Sequence, residues 1–129
     1  YAMSGNGWMD PSTLGATLPK GTIPASWVGA ASYNGRGAGT GWVSFNAGGM
    51  QLSLELVNMT YDVKSDCSVT LTYSMKVKEL GGITLGPESR VAVIAGSGST
   101  LEFFGIKAGA GPGTGVDSSF ARRISMLFK

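Results

Sequence analysis

The feature that most constrains the fold is a strict alternation of apolar and polar residues from position 67 to position 77. Every odd position is apolar, and every even position is Ser, Thr or Lys. Successive side chains of a strand point to opposite faces, so this pattern is typical of a strand with one face in a core and the other in water. The segment therefore predicts part of an antiparallel sheet.

The rest of the chain supplies similar segments. Residues 50–57 alternate in the same way, and shorter segments of strand character lie at 27–34, 40–46, 59–64, 90–95, 100–107 and 119–128. Asn34-Gly35 and Gly48-Gly49 suit tight hairpins because these residues accept a positive φ. Gly81-Gly82 and Gly86-Pro87 bound a segment that we expect to be a longer loop.

Eight strands joined mainly by hairpins predict an all-β fold, an eight-stranded antiparallel meander closed into a small barrel. Closure removes the two exposed edges of a meander, and a β-sandwich is the alternative. Residues 1–25 show no period and hold three of the five prolines. They predict an irregular N-terminal arm ahead of a single β-barrel domain at residues 26–129.

Composition narrows the chemistry that this chain can perform. The chain has no His, one Cys and only 14% charged residues. Without His it lacks the commonest general base and metal ligand, so we expect no metal, no cofactor and no hydrolase that uses a His base. The basic residues are scattered, which argues against a nucleic-acid partner. Cys67 falls on the apolar face of its segment and is predicted to be a small buried residue.

The compartment is less constrained. The sequence contains no apolar run long enough for a membrane-spanning helix, so we expect no membrane span. The low charge favours a secreted, extracellular protein whose signal peptide has been removed, or a cytoplasmic protein if Met3 is the natural start. Asn58-Met59-Thr60 is a glycosylation sequon, which matters only in a eukaryotic secretory pathway.

Residues 60–67 read Thr-Tyr-Asp-Val-Lys-Ser-Asp-Cys. This segment resembles the Thr-Tyr-x-Val-x-x-Asp-Cys motif of small, mostly uncharacterised bacterial and fungal proteins with calycin-like, lipocalin-like architecture. The hairpin at residues 33–37 and Ala121-Arg122-Arg123 resemble that family's Phe-Asp-Gly-x-Gly hairpin and last strand. In this chain Met59 and Val69 replace two of the family's glycines. The resemblance implies a calycin-like barrel that carries a small apolar ligand, with cyclases or isomerases among related barrels.

Two charged residues are candidates for a polar anchor inside such a barrel. Arg122 shares a strand face with Phe120 and Ile124, so it points inward if that aromatic face does. A buried Arg needs a partner, which Glu102 could supply, and an inward Glu could also shuttle protons. The alternatives are a structural Arg that packs on Trp27 and an outward Glu at a strand edge.

Apolar and aromatic residues on the expected inner faces would line the cavity. The predicted ligand-binding residues are Tyr61, Tyr73, Met75, Phe104, Arg122 and Met126, and the predicted catalytic residues are Glu102, Tyr73 and Arg122. Core packing with the hydroxyl at the barrel mouth is the alternative for both tyrosines.

We therefore expect a barrel that binds a small hydrophobic molecule and could act on it as a cofactor-independent isomerase or cyclase. The alternative is an extracellular structural or filament subunit, a homo-oligomer assembled through residues 1–25. A third hypothesis is a carbohydrate-binding module that uses exposed Trp8 and Trp42.

Overall fold

In a computed structural model, strands dominate the part of the chain that the structure describes, residues 1–10, 21, 23–95, 100–104 and 117–122. For Met9 and for the last two ranges, only the backbone is described. The strands are β1 (Ala2–Met9), β2 (Ile23–Tyr33), β3 (Ala38–Ala47), β4 (Met50–Val63), β5 (Ser68–Val77), β6 (Ile83–Ala95), β7 (Thr100–Phe104) and β8 (Asp117–Arg122). A short 3₁₀ turn, Lys78–Leu80, follows β5. The all-β prediction is confirmed.

Strands β1 to β6 form one curled antiparallel sheet in which each strand pairs with the next one along the chain. Tight turns at Gly48-Gly49 and at residues 34–37 make this order possible, since they adopt the positive φ that hairpins require. The backbone of β7 is in register with β6 and β8, and the backbone of β8 is also in register with β1.

The N-terminal segment differs from the expectation of an irregular arm over residues 1–25. Ala2–Met9 forms β1, which pairs along its whole length with β2, and β2 itself begins at Ile23. The sequence of β1 has no alternation because glycine occupies positions 5 and 7. Its pairing rests on backbone hydrogen bonds, which do not depend on side chains. The arm prediction is therefore wrong for residues 2–9, and residues 11–20 lie outside the described part.

Strand β4 joins two segments that the sequence predicts as separate strands, 50–57 and 59–64. The register with β5 shifts between Val57 and Thr60, where Asn58 has a φ of 52°. An extra residue in one strand reverses which positions face inward. Leu56 is buried before the irregularity and Met59 after it. The break in alternation is thus a bulge within one strand, and it turns the odd-numbered Tyr61 toward the inner face.

Strand β6 contains the segment that the sequence predicts as a loop around Gly86-Pro87. The strand runs from Ile83 to Ala95, with a register shift opposite Tyr73 and Met75. Gly86 has a φ of 104°, and a Cβ there would lie 3.2 Å from the Tyr73 carbonyl oxygen. Proline is tolerated at such irregularities because the ladder is already interrupted there.

The core lies on the concave inner face of the sheet. Its buried residues form three clusters along the strands, Val69 with Leu71 and Ala92, Ala31 with Leu56 and Met59, and Leu52 with Leu54 and Val77. The alternation predicted for β5 is confirmed by the burial of Val69, Leu71 and Val77.

Cys67 is the exception in that alternating segment. It is exposed, has a φ of 65°, and lies in the turn before β5, where its N–H donates to the carbonyl of Lys64 at 3.1 Å. The prediction of a buried Cys67 is wrong because Cys67 belongs to the turn, and the alternation of inward and outward side chains begins only with β5.

Candidate functional site

All four tyrosines of the chain converge around Tyr33. Tyr1 precedes β1, Tyr33 ends β2, Tyr61 lies near the end of β4, and Tyr73 lies within β5. In a meander, even-numbered strands end and odd-numbered strands begin at the same end of the sheet, so residues distant in sequence become neighbours there. We call the inner face at this end of the sheet the tyrosine end.

The rings pack against one another in edge-to-face geometry. The ring centroids of Tyr1 and Tyr33 are 5.7 Å apart, and those of Tyr33 and Tyr61 are 5.2 Å apart, with interplanar angles of 76° and 82°. This arrangement places the positive edge of one ring against the negative face of the next. Tyr33 is therefore held between two rings, which fixes its orientation.

The surroundings of Tyr33 keep its hydroxyl protonated. Burial, followed by the neighbouring Tyr1, Tyr73 and Tyr61, raises the pKa of Tyr33 to about 12. The low-dielectric surroundings disfavour the phenolate, and nearby phenolates would repel it. At neutral pH Tyr33 is consequently a neutral phenol that can both donate and accept a hydrogen bond.

A cavity of about 700 Å³ opens at the tyrosine end. Its wall combines the rings of Tyr1, Tyr33 and Tyr61 with the aliphatic side chains of Val69, Leu71 and Ile94, and Trp42 and Thr40 contribute to its rim. Cavities of a few hundred to about a thousand Å³, mostly apolar with a few polar groups, are typical of small-molecule sites. The arrangement can surround an apolar body and offer it hydroxyl groups.

Two turns lie at the tyrosine end. The side-chain oxygen of Asn34 accepts hydrogen bonds from the backbone N–H of Arg36 at 2.8 Å and of Ala38 at 3.1 Å, which fixes the turn between β2 and β3. The carboxylate of Asp66 accepts hydrogen bonds from the N–H and hydroxyl of Ser68, at 2.9 and 2.6 Å, and this lowers the pKa of Asp66. Local hydrogen bonds stabilise both turns, so the turns do not depend on contacts with the tyrosine rings.

An ion pair lies on the inner face next to this cavity. Arg90 pairs across the strands with Leu71, and Glu88 with Tyr73. Because Leu71 is buried and Val93 is exposed, the alternation of β6 turns positions 88, 90 and 92 inward. The guanidinium of Arg90 lies 3.8 Å from the Glu88 carboxylate, and the two side chains are 27% and 16% exposed.

Sequence reasoning missed this pair and the participation of Tyr1 and Tyr33. The two-residue spacing of Glu88 and Arg90, which places both on one face of a strand, was the available sign for the ion pair, but the expected loop around Pro87 hid it. Tyr1 lies in the segment expected to be irregular. Nothing in the local sequence of Tyr33 indicates that it contacts Tyr61.

The structure places some of the predicted site residues at the cavity and others away from it. Tyr61 lines the cavity, Tyr73 influences Tyr33, and Met75 packs deeper in the core between two buried clusters. The backbone of Arg122 is in register with Ala2 and Thr100.

The roles assigned to the remaining residues stay predictions. Glu102 is in backbone register with Val93 and Phe120, and Phe104 with Val91 and Ser118. Met126 lies outside the described residues.

Within the described ranges, no group of three or more His, Cys, Asp or Glu residues is placed to hold a metal ion. In the same ranges no helix has the length and apolar character needed to cross a membrane.

Comparison with known proteins adds no relative. No protein-family model, no curated protein and no solved structure matches this chain. The calycin-like resemblance of residues 60–67 therefore stays a prediction, and the function has to be argued from the geometry of the site.

Proposed function

We propose that this protein binds one small hydrophobic molecule in the cavity at the tyrosine end. The observation that carries the proposal is the combination of about 700 Å³ of space with a wall of phenol rings and aliphatic side chains. The space opens to solvent, so an apolar ligand that enters it displaces water from the apolar part of the wall. Apolar area that the ligand removes from water supplies the binding energy, and the hydroxyls select its orientation.

We infer that the sheet closes into the eight-stranded calycin-like barrel that the sequence favours. The backbone registers of β7 with β6 and of β8 with both β7 and β1 support closure. Eight strands leave an interior wide enough for side chains or for one small ligand. In such a barrel the tyrosine end is one mouth, and the ligand enters there.

If the protein also acts on its ligand, we propose that it is a cofactor-independent isomerase or cyclase. The neutral hydroxyl of Tyr33, held by two rings, can donate a hydrogen bond to a polar group of the substrate, and the walls would restrict a flexible substrate to one conformation. The Glu88 carboxylate is the described inner-face group suited to accept a proton. If a compound that is added to the protein is recovered as an isomer of itself, with unchanged mass, the result would support this catalytic activity.

The binding proposal is tested with N-phenyl-1-naphthylamine, an uncharged probe that fluoresces in apolar surroundings. We expect the wild-type protein to bind one equivalent, and Ile94→Phe, which adds volume to the cavity wall, to bind about tenfold more weakly. Ile83→Ala is the matched control, since Ile83 is 42% exposed and does not line the cavity. Equal affinity of Ile94→Phe and wild type, with both folded by circular dichroism, would exclude this cavity as the site.

The alternative, a structural subunit that assembles through residues 1–25, loses support at β1. The hydrogen-bonding groups of Ala2–Met9 that would extend a neighbour's sheet are in register with β2 and β8 of the same chain. A large assembly that dissociates when residues 11–20 are replaced by a Gly-Ser linker would restore the alternative.

A further inference from the structure

Three exposed apolar side chains form a diagonal line across the outer face of β1, β2 and β3. Trp8, Val28 and Trp42 are 59%, 56% and 54% exposed. Trp8 pairs with Pro24, and Trp42 pairs with Ala30, so the two indole rings are six residues apart along β2. At about 3.3 Å per residue, the line is roughly 20 Å long, with Val28 between its ends.

The rest of this outer face carries small or polar residues and no charge. Its outward positions, which alternate with the buried positions of β2 and β3, are Ala, Ser, Thr, Asn and Pro besides the three apolar residues. Among the described residues of β1, β2 and β3 there is no charged side chain. Described charges border these strands at Asp10 after β1, at Arg36 in the turn between β2 and β3, and at Glu55 of β4, which pairs with Trp42. A face of this size without charge is unusual, since about a quarter of the residues in soluble domains are charged.

We propose that the outer face of β1, β2 and β3 binds a chain of a neutral polysaccharide. A sugar ring has an apolar C–H face, which packs on the electron-rich face of an indole. Its hydroxyls exchange hydrogen bonds with Ser, Thr and Asn side chains. An extended polysaccharide repeats these two features along its length and so fits two Trp rings separated by hydroxyl and amide groups.

The same features disfavour other occupants. Nucleic acids and anionic lipid surfaces are bound through clustered Lys and Arg, which the outer face of these three strands lacks. Stable protein interfaces bury a continuous apolar centre. Here the polar pair Asn6 and Ser26 separates Trp8 from Val28 and Trp42 in the strand register.

The experiment is depletion of the full chain from solution by insoluble polysaccharides, namely cellulose, β-1,3-glucan, chitin and starch granules, with pectin as the charged comparison. We expect at least one neutral polymer to bind, with a bound fraction unchanged between low salt and 1 M NaCl because no charges take part. Trp8→Ala and Trp42→Ala should each weaken binding about fivefold or more, since each removes one ring contact.

Two controls separate this face from the cavity and from general stickiness. Ile83→Ala and Val93→Ala remove exposed apolar side chains elsewhere on the sheet and should leave binding unchanged. Trp42 also contributes to the cavity rim but Trp8 does not, so equal dependence on both residues identifies the outer face.

Failure of all four neutral polymers to deplete the protein would overturn the proposal, as would undiminished binding by both Trp variants. A dimer that Trp8→Ala and Trp42→Ala convert to monomer, without polysaccharide binding, would replace it with an interface between two copies of the chain.

Discussion

The two ends of the inner face differ in how completely they are filled. At one end, which we call the packed end, Val77 is fully buried, Leu52 is 3% exposed, and the rings of Trp27 and Phe45 stack with centroids 6.0 Å apart. At the tyrosine end, rings meet edge to face around a cavity of about 700 Å³. One curled sheet thus combines a closed apolar core that stabilises it with an open site that is available for a ligand.

The difference arises from side-chain chemistry and not from the backbone, since the same strands supply both ends. Leu and Val side chains fill space without a polar tip, so Leu52, Leu54 and Val77 are buried at the packed end. A tyrosine buries its ring but keeps its hydroxyl near water or a partner, which prevents a fully dry core. The tyrosine end is accordingly packed less densely, so we expect the packed end to contribute more to the free energy of unfolding.

The largest expected effect is a contrast between Leu52→Ala and Tyr61→Ala. Removing a buried Leu leaves a cavity in the packed end and should lower the free energy of unfolding by about 2–5 kcal/mol. Tyr61 is only half-buried beside existing space, so its truncation should cost about 1 kcal/mol but weaken probe binding. Urea unfolding and fluorescent-probe titration of both variants measure the two quantities. Equal stability losses would show that the two ends are packed alike.

A smaller effect is expected at Gly29, which lies on the inner face of β2 and is buried. A Cβ at this position would overlap the carbonyl oxygen of Trp42 on β3, so the two strands could not approach as closely. Gly29→Ala should therefore lower stability by about 1–3 kcal/mol, the usual cost of overpacking. Ser26→Ala, at an exposed position of the same strand, is the matched control. A Gly29→Ala variant as stable as wild type would show that the close approach is not needed for stability.

Alkaline pH should affect the tyrosine end through Tyr33. The pKa of Tyr33 is raised from 10.0 to about 12, so between these values the folded state binds the proton more tightly than the unfolded state. The stabilisation is complete below pH 10 and is lost as the pH rises to 12, in total on the order of 2 kcal/mol. Denaturant titrations between pH 9 and pH 12 should show a steeper loss for wild type than for Tyr33→Phe. Parallel losses would mean that Tyr33 ionises as freely in the folded state as in the unfolded one.

The sequence predicted the faces of the regular strands and failed where the chain departs from regularity. The alternation of residues 67–77 and 50–57 identified buried Leu52, Leu54 and Leu71. The bulge at Asn58 was interpreted as a boundary between two strands, and Gly86-Pro87 was interpreted as a loop. In a sequence, an extra residue within a strand cannot be distinguished from a turn. Strand β1 escaped prediction because glycines at positions 5 and 7 remove the alternation, although Met3 packs on the core and the backbone pairs with β2.

The candidate site was predicted only in part for a related reason. Tyr61 and Tyr73 stand in alternating segments, so their inward direction was readable from the sequence. The contact between Tyr1 and Tyr33 depends on the pairing of β1 with β2, which no local pattern encodes. The described inner-face ion pair, Glu88 with Arg90, is likewise a product of the phase of β6 after its irregularity.

The smallest effects are expected from two exposed carboxylates, one near each end. Hydrogen bonds from Ser68 lower the pKa of Asp66 near the tyrosine end, and a hydrogen bond from the Ser53 N–H at 2.8 Å lowers the pKa of Glu79 near the packed end. A lowered pKa means that the stabilisation is present above the ordinary pKa, 3.8 for Asp66 and 4.5 for Glu79, and is lost as the pH falls through the folded-state value.

Asp66→Asn and Glu79→Gln should consequently lower the melting temperature slightly at pH 7, and the difference from wild type should shrink as the pH falls through the lowered pKa of each carboxyl. Both residues are fully exposed, so solvent screening keeps each effect small. If Glu79→Gln also leaves probe binding unchanged while Asp66→Asn weakens it, the turn before β5 contributes to the mouth of the cavity. Equal probe affinities in the two variants would restrict the site to the inner face itself.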